Sequence, residues 1–291
     1  MATSMTSRSS ILARRGRATL QSDPFPHVLI DEALEPELYE TLVAAFPTIE
    51  TLQRKPKPIL NNHLYLRSAA EVIGNPNFSA DWQSFFSHHV SADFWLEALG
   101  LLRRELQEAH PGLEQRAGRT LEEFRVAMRR REDPLDEEIA LDCQFAINSP
   151  VIKASTVRTP HLDRPNKLFN ALLYCRAPED DTPGGDLILY RCLAPVLHSI
   201  GSEVMPTRIV AAKRIPYRAN RLVLFLNSPT SVHGVAPRPV TLHCRRYINI
   251  LCEYRERLFE IPTSTWMGRN LELARGILRR HDPHRVALPD I

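Results

Sequence analysis

Between residues 139 and 254 the chain is broken into short apolar runs that leave room for strands and for little else. Segments rich in Val, Ile, Leu, Tyr and Phe recur at 139–147, 151–155, 168–175, 186–191, 209–215, 221–227, 231–235 and 245–254, each bounded by Pro, Gly, Asn or Asp. Strands this short, separated by turn residues, predict a sandwich or jelly roll. Upstream the period changes. Tyr39, Leu42, Val43 and Phe46 fall at three- and four-residue intervals, which predicts a helix over 35–46 ended by Pro47. Two further helices are expected within 79–109, closed by Pro111 and Gly112. Thr120 and Glu123 fit a capping box and predict a helix running to Arg129, Arg130 and Arg131. A β-prone run at 24–31 precedes the first helix, and 51–78 reads as an irregular loop that could serve as a lid. A last helix is expected over 265–281, with Leu271, Ala274 and Leu278 on one face.

The plan that follows is a disordered tail over 1–22 and one domain over 23–291. Residues 23–134 would be mainly helical support, 135–255 the β core, and 256–291 a C-terminal helix and tail. The class is α+β with a mainly β core.

Composition removes several functions. Of 291 residues, 43% are apolar and 24% charged, ordinary globular usage. The net charge of +3, from 37 basic and 34 acidic residues, is too small and too evenly spread to point to nucleic acid or a membrane surface. The longest apolar runs, 171–175 and 222–226, are far too short to span a bilayer. Five cysteines (Cys143, Cys175, Cys192, Cys244, Cys252) with no CxxC read as small buried hydrophobes of a reducing compartment. The first 22 residues carry four arginines and no acid, as a transit peptide does, but lack a clear apolar face and a secretory core. Cytoplasmic location is the default expectation.

His161 and Asp163 lie two residues apart in a segment leading into the run at 168–175, so they point to the same side. By itself a His-x-Asp is weak. The apolar run 221–227, a turn at Pro229 and a short strand carrying His233 would return a second imidazole to the same place. Two imidazoles and one carboxylate on one face of an octahedral ion leave the opposite positions open, the arrangement of non-haem Fe(II) oxygenases. Zinc suits such a set less well. An anchor for an anionic cosubstrate is then expected on the next strand, where Arg245 and Arg246 both qualify by distance. Arg246 shares its face with Ile248, Ile250 and Cys252; Arg245 shares its face with Tyr247, Asn249, Leu251 and Glu253. The apolar set suits a barrel interior, so Arg246 is expected to point inward. A lone guanidinium there needs a carboxylate, from a ligand or from the protein itself.

Residues 140–254 resemble the 2-oxoglutarate/Fe(II) dioxygenase superfamily in its prolyl-4-hydroxylase-like branch. The resemblance is carried by His161-Leu162-Asp163, by 184–190, by 220–225, by His233-Gly234-Val235 and by Arg246 in Arg-Arg-Tyr-Ile-Asn-Ile. It implies a double-stranded β-helix (jelly roll, cupin-like). It further implies Fe(2+) held by His161, Asp163 and His233, and 2-oxoglutarate bound by Arg246, with O2 consumed and succinate released on hydroxylation. Many relatives place a Ser two residues after that arginine, where this chain has Ile248; Tyr174 is a substitute donor, although a packed aromatic is the plainer reading. Relatives that halogenate have Gly or Ala at the position of Asp163, so hydroxylation is favoured here. Relatives that repair nucleic acid carry a second arginine where Cys252 stands. The expected substrate is a small molecule. A protein or peptide side chain is the second reading, and a non-catalytic β-roll that binds a metal or a carboxylate is the third.

Overall fold

The computed structural model describes residues 10–55, 57–129, 137–196 and 203–260. The helix expected over 265–281 and the first nine residues of the expected tail lie outside these. Among the described residues the strands are β1 (Thr19–Gln21), β2 (His27–Ile30), β3 (Leu64–Arg67), β4 (Val126–Met128), β5 (Ile139–Asn148), β6 (Lys167–Tyr174), β7 (Leu187–Cys192), β8 (Ile209–Ile215), β9 (Leu222–Leu226), β10 (His233–Val235) and β11 (Arg245–Tyr254). The helices are α1 (Pro36–Ala44), α2 (Ile49–Leu52), α3 (Ala69–Val72), α4 (Ala80–His89), α5 (Ala92–Ala109) and α6 (Leu113–Ala117). The major sheet runs β1-β2-β9-β6-β11-β5-β3, with β4 also on β5, and the minor sheet runs β10-β7-β8.

The major sheet has two covered faces. Cys143, Phe145 and Ile147 of β5 and Ile248, Ile250 and Cys252 of β11 pack against the helices. There α4 supplies Trp82 and Phe86, whose rings lie 4.8 and 4.6 Å from that of Phe145. The helix α5 buries Phe94, Trp95, Ala98, Leu99, Leu102 and Leu106, a stripe at three- and four-residue spacing. Ser79 and Ser91 cap the two helices, their hydroxyls accepting from the N–H groups of Trp82 and Phe94. On the opposite face Tyr174, Val223 and Phe225 meet Leu187, Leu189 and Ile215 of the minor sheet. The two sheets thus enclose a second, smaller core, in which the chemistry is placed.

Four expectations need correction. The capping box of Thr120 and Glu123 forms, but it closes only a single 3-10 turn, Leu121–Glu123. The chain then becomes β4, because the edge of β5 offers parallel pairing to Val126, Ala127 and Met128. The loop over 51–78 is in part structural: β3 is the edge strand on β5 and α3 follows it. The tail is packed from Ser10 onward, with Ile11 and Leu12 fully buried, the Ile11 N–H donating to His89 Nε2, and β1 paired with β2. Residues 151–155 make isolated bridges, Val151 to Thr241 and Ser155 to Arg238, in place of a strand.

Candidate metal centre

His233 opens β10, which β7 holds through the pairing of His233 with Leu189. His161 bridges directly to His233: each backbone N–H donates to the other's carbonyl, at 2.9 and 3.1 Å. Their rings stand 4.4 Å apart. Gly234 eases this approach, since a Cβ there would lie 3.2 Å from Pro160 N and 3.3 Å from Arg158 O and would crowd them. Asp163 follows two residues after His161 and completes the cluster. One ligand atom from each of His161, Asp163 and His233 falls within 4.8 Å of the others.

The donor set fits a divalent ion. His161 Nδ1 donates to Thr159 O at 2.9 Å and His233 Nδ1 to Ser231 O at 3.0 Å. A carbonyl only accepts, so Nδ1 carries the proton in both rings and the Nε2 lone pairs are free. Burial, helped by the neighbouring imidazole, pushes His161 down to about 3. Burial also lowers His233, against the pull of Asp163. For Asp163 burial acts upward, yet Lys167 and both imidazoles hold its carboxyl well below the usual range. Two neutral nitrogens and one carboxylate are the protonation states a metal requires.

The arginine that enters the space between the sheets is the other one. Arg245 is buried (2% exposed) and enters the inter-sheet space, its guanidinium 4.6 Å from the Tyr247 ring and 5.1 and 5.2 Å from those of Tyr217 and Tyr174. Its Nε donates to Gly185 O at 2.7 Å. Arg246 points to the helical side, where it lies over Phe46 and donates to Cys175 O. The expectation that Arg246 points into the interior between the sheets is therefore reversed. The apolar face of β11 is the one the helices cover, and the mixed face lines the space between the sheets.

Tyr174 stands where expected, on the inter-sheet face, opposite Tyr247 in the register of β6 and β11. Burial pushes its hydroxyl up to about 12, so it is a neutral donor. Among the described residues, three buried polar atoms at this spot have no hydrogen-bond partner: Arg245 Nη2, Tyr174 Oη and Asn148 Nδ2. Asn148 is the register partner of Arg245, and its Oδ1 lies 3.4 Å from Arg245 Nη1. Buried donors without acceptors are costly and rare in a finished core. A second buried guanidinium, Arg238, adjoins across Gly185, where a Cβ would meet both arginine stems. Its partners are neutral oxygens of Asn62, Ser149 and His243, and burial followed by Arg245 lowers its pKa. The alternation of β11 flagged Arg245 but did not select it, and Asn148 lay at the end of a run with no chemical signal.

The fold and the cluster define a two-sheet α+β protein with a cluster of two histidines and one carboxylate that could hold a metal ion. No protein-family model and no curated protein matches the chain. Solved structures do. A prolyl-4-hydroxylase from Pseudomonas putida is 16% identical, with 79% of this chain and 93% of that chain covered and a TM-score of 0.41. An oxidoreductase of the 2OG-Fe(II) oxygenase family from Burkholderia pseudomallei is 14% identical, covering 91% and 96%, with a TM-score of 0.34. A non-heme alpha-ketoglutarate-dependent carbocyclase from nogalamycin biosynthesis is 12% identical, covering 90% and 89%, with a TM-score of 0.38.

Proposed function

We propose that this protein is an iron(II)- and 2-oxoglutarate-dependent oxygenase that hydroxylates a C–H bond of a small molecule. The observation that carries the reading is the union, between the same two sheets, of the triad His161, Asp163 and His233 with a buried guanidinium, Arg245, that has no carboxylate partner among the described residues. The two-sheet arrangement is read as a double-stranded β-helix. Asp163 supplies one negative charge against a dication, so a further anion is needed for balance. A 2-oxo diacid meets both demands, one end at the triad and the distal carboxylate at Arg245.

The spacing supports this. Asn170, which touches Asp163, and Tyr174, beside Arg245, are four residues apart on one face of β6, roughly 13 Å at the usual rise. A five-carbon diacid and the arginine side chain together span that interval. Arg245 Nη2, Tyr174 Oη and Asn148 Nδ2 would then find acceptors, and Arg238 would add long-range attraction. Leu187, Leu189, Val223 and Phe225 exclude water from the space between, which strengthens each polar contact. When bound, iron with 2-oxoglutarate and dioxygen supplies the oxidation of the C–H bond, with release of succinate and carbon dioxide. The low exposure of His161 (7%) and His233 (6%) favours a small molecule over a peptide side chain.

An anaerobic titration of the full chain with Fe(II) and 2-oxoglutarate tests the reading. A visible charge-transfer band is expected in the wild type, lost in His233→Ala and shifted to much higher 2-oxoglutarate in Arg245→Met. Folded, Fe(II)-loaded wild type without a band at any 2-oxoglutarate concentration overturns it in favour of a non-catalytic binding role. Given the band, substrate-dependent succinate release with small molecules or with peptides decides the substrate class.

A further inference from the structure

Both oxygens of Asp163 are engaged. Oδ1 accepts from Lys167 Nζ at 3.0 Å and Oδ2 accepts from Asn170 Nδ2 at 2.6 Å. Lys167 Nζ also donates to Asn170 Oδ1 at 3.1 Å, which closes a ring of three side chains. On a regular strand Lys167 and Asn170, three residues apart, would point to opposite faces. The register of β6 on β11 slips between them: Cys252 opposes Phe169 while Glu253 opposes Lys167, leaving Leu168 as the extra residue. Leu168 and Phe169 both bury on the helical side, and the bulge turns Lys167 toward the inter-sheet face. The side chain is only 13% exposed, and Asp163 is its ion-pair partner among the described residues.

The two oxygens are not equivalent. Oδ2 is the one near the imidazoles, 3.7 Å from His233 Nε2, whereas Oδ1 is turned to the ammonium. We propose that Lys167 is a positioning residue that, with Asn170, pins the Asp163 carboxylate so that it offers a metal one oxygen only. The proposal rests on the metal-site reading above. A carboxylate free to turn presents both oxygens and takes a fourth position of an octahedral ion. That leaves two positions where a chelating 2-oxo acid and dioxygen together need three. Lys167 opposes this in two ways: its bond holds Oδ1 back, and its charge disfavours a dication on the same oxygen. The ammonium therefore weakens the hold on the metal and keeps the open positions open. A lysine serving only to stabilise the fold would do neither.

The test uses the full chain with Mn(II) as the probe. Mn(II) affinity, the water-proton relaxation of the loaded protein, and 2-oxoglutarate binding to it are measured in wild type, Lys167→Met, Lys167→Gln and Lys167→Arg. In Lys167→Met, Mn(II) is expected to bind several-fold more tightly, and relaxation per bound ion to fall by about one third as one of three water positions is lost. Its 2-oxoglutarate affinity should fall about tenfold, the scale of an outer-sphere partner. Lys167→Gln keeps a neutral donor and should move the same way by less; Lys167→Arg should restore wild-type values. Unchanged relaxation in both Lys167→Met and Lys167→Gln overturns the proposal. So does weakened binding of Mn(II) and 2-oxoglutarate in parallel, the pattern of a purely structural role. Wild type that takes up no Mn(II) overturns the metal-site reading and the clamp with it. The predicted Mn(II) and relaxation changes without any 2-oxoglutarate response in wild type support the clamp and overturn the oxygenase reading alone.

Discussion

On one side of β11, Ile248, Ile250, Cys252 and Tyr254 press into the core covered by the helices; on the other, Arg245, Tyr247 and Asn249 look into the space between the sheets. The helical side is built of apolar groups and aromatic rings in mutual contact. Among the described residues the inter-sheet side keeps three buried donors without acceptors, two guanidiniums without carboxylate partners, and two neutral imidazoles facing a carboxylate. Tyr254 Oη and His110 Nε2 on the helical side also lack hydrogen-bond partners among the described residues, but the guanidiniums with no carboxylate partner belong to the inter-sheet side. The helical core carries the fold, and under the proposed function the unmet polar groups of the inter-sheet side are where ligands would contribute contacts.

The contrast can be broken in several ways. Phe145→Ala removes the ring on which Phe46, Phe78, Trp82 and Phe86 converge, and should destabilise the fold by about 3–5 kcal/mol in urea unfolding. The fraction that remains folded should bind metal normally. His233→Ala should do the reverse. Metal affinity is expected to drop at least about 100-fold, past the range of an outer-sphere partner, while far-UV circular dichroism stays unchanged. A large loss of secondary structure would show that the triad also holds the fold.

Arg245→Met should lower 2-oxoglutarate affinity at least about tenfold and leave the unfolding free energy equal or higher. It replaces an uncompensated buried charge by an apolar chain of similar size. Arg246→Met is the control and should leave 2-oxoglutarate binding unaltered; if the two arginines exchange these phenotypes, the assignment of faces is wrong. Gly234→Ala should displace the Pro160 segment by a few tenths of an ångström and cost a few-fold in metal affinity, with about 1–3 kcal/mol of stability lost to crowding.

A further effect is one of pH, to which His89 and His110 on the helical side contribute as His161 does on the inter-sheet side. Burial holds His89 down to about 3 and His110 down to about 4. Both are neutral in the folded chain and take up protons near 6.5 once unfolded. Between those limits the unfolded state binds more protons, so their contribution is complete above about 6.5 and is lost as pH falls toward 3–4. The Tm of the apoprotein should decline over that window, and a flat profile from 6.5 to 4 would falsify the account.

Sequence periodicity alone located most of the elements: the runs at 139–147, 168–175, 186–191, 209–215, 221–227, 231–235 and 245–254 all contain strands, and the helices at 35–46 and 79–109 form. It also brought His161, Asp163 and His233 together on paper, because alternation within a strand and the return of a chain through a turn are local rules. What it could not decide was which covered face of a sheet is the outside. The runs of β5 and β11 are buried on both faces, and a residue's own chemistry does not say whether helices or a second sheet will cover it. Hence Arg246 reads as interior from the sequence, and Asn148 carries no signal there. The bulge that turns Lys167 toward Asp163 is likewise a matter of register between β6 and β11, and register is set by pairing partners far apart in the chain. Local spacing determined which residues could meet a metal; only the packing of two sheets and a helical layer decided which arginine enters the space between the sheets and which lysine meets Asp163.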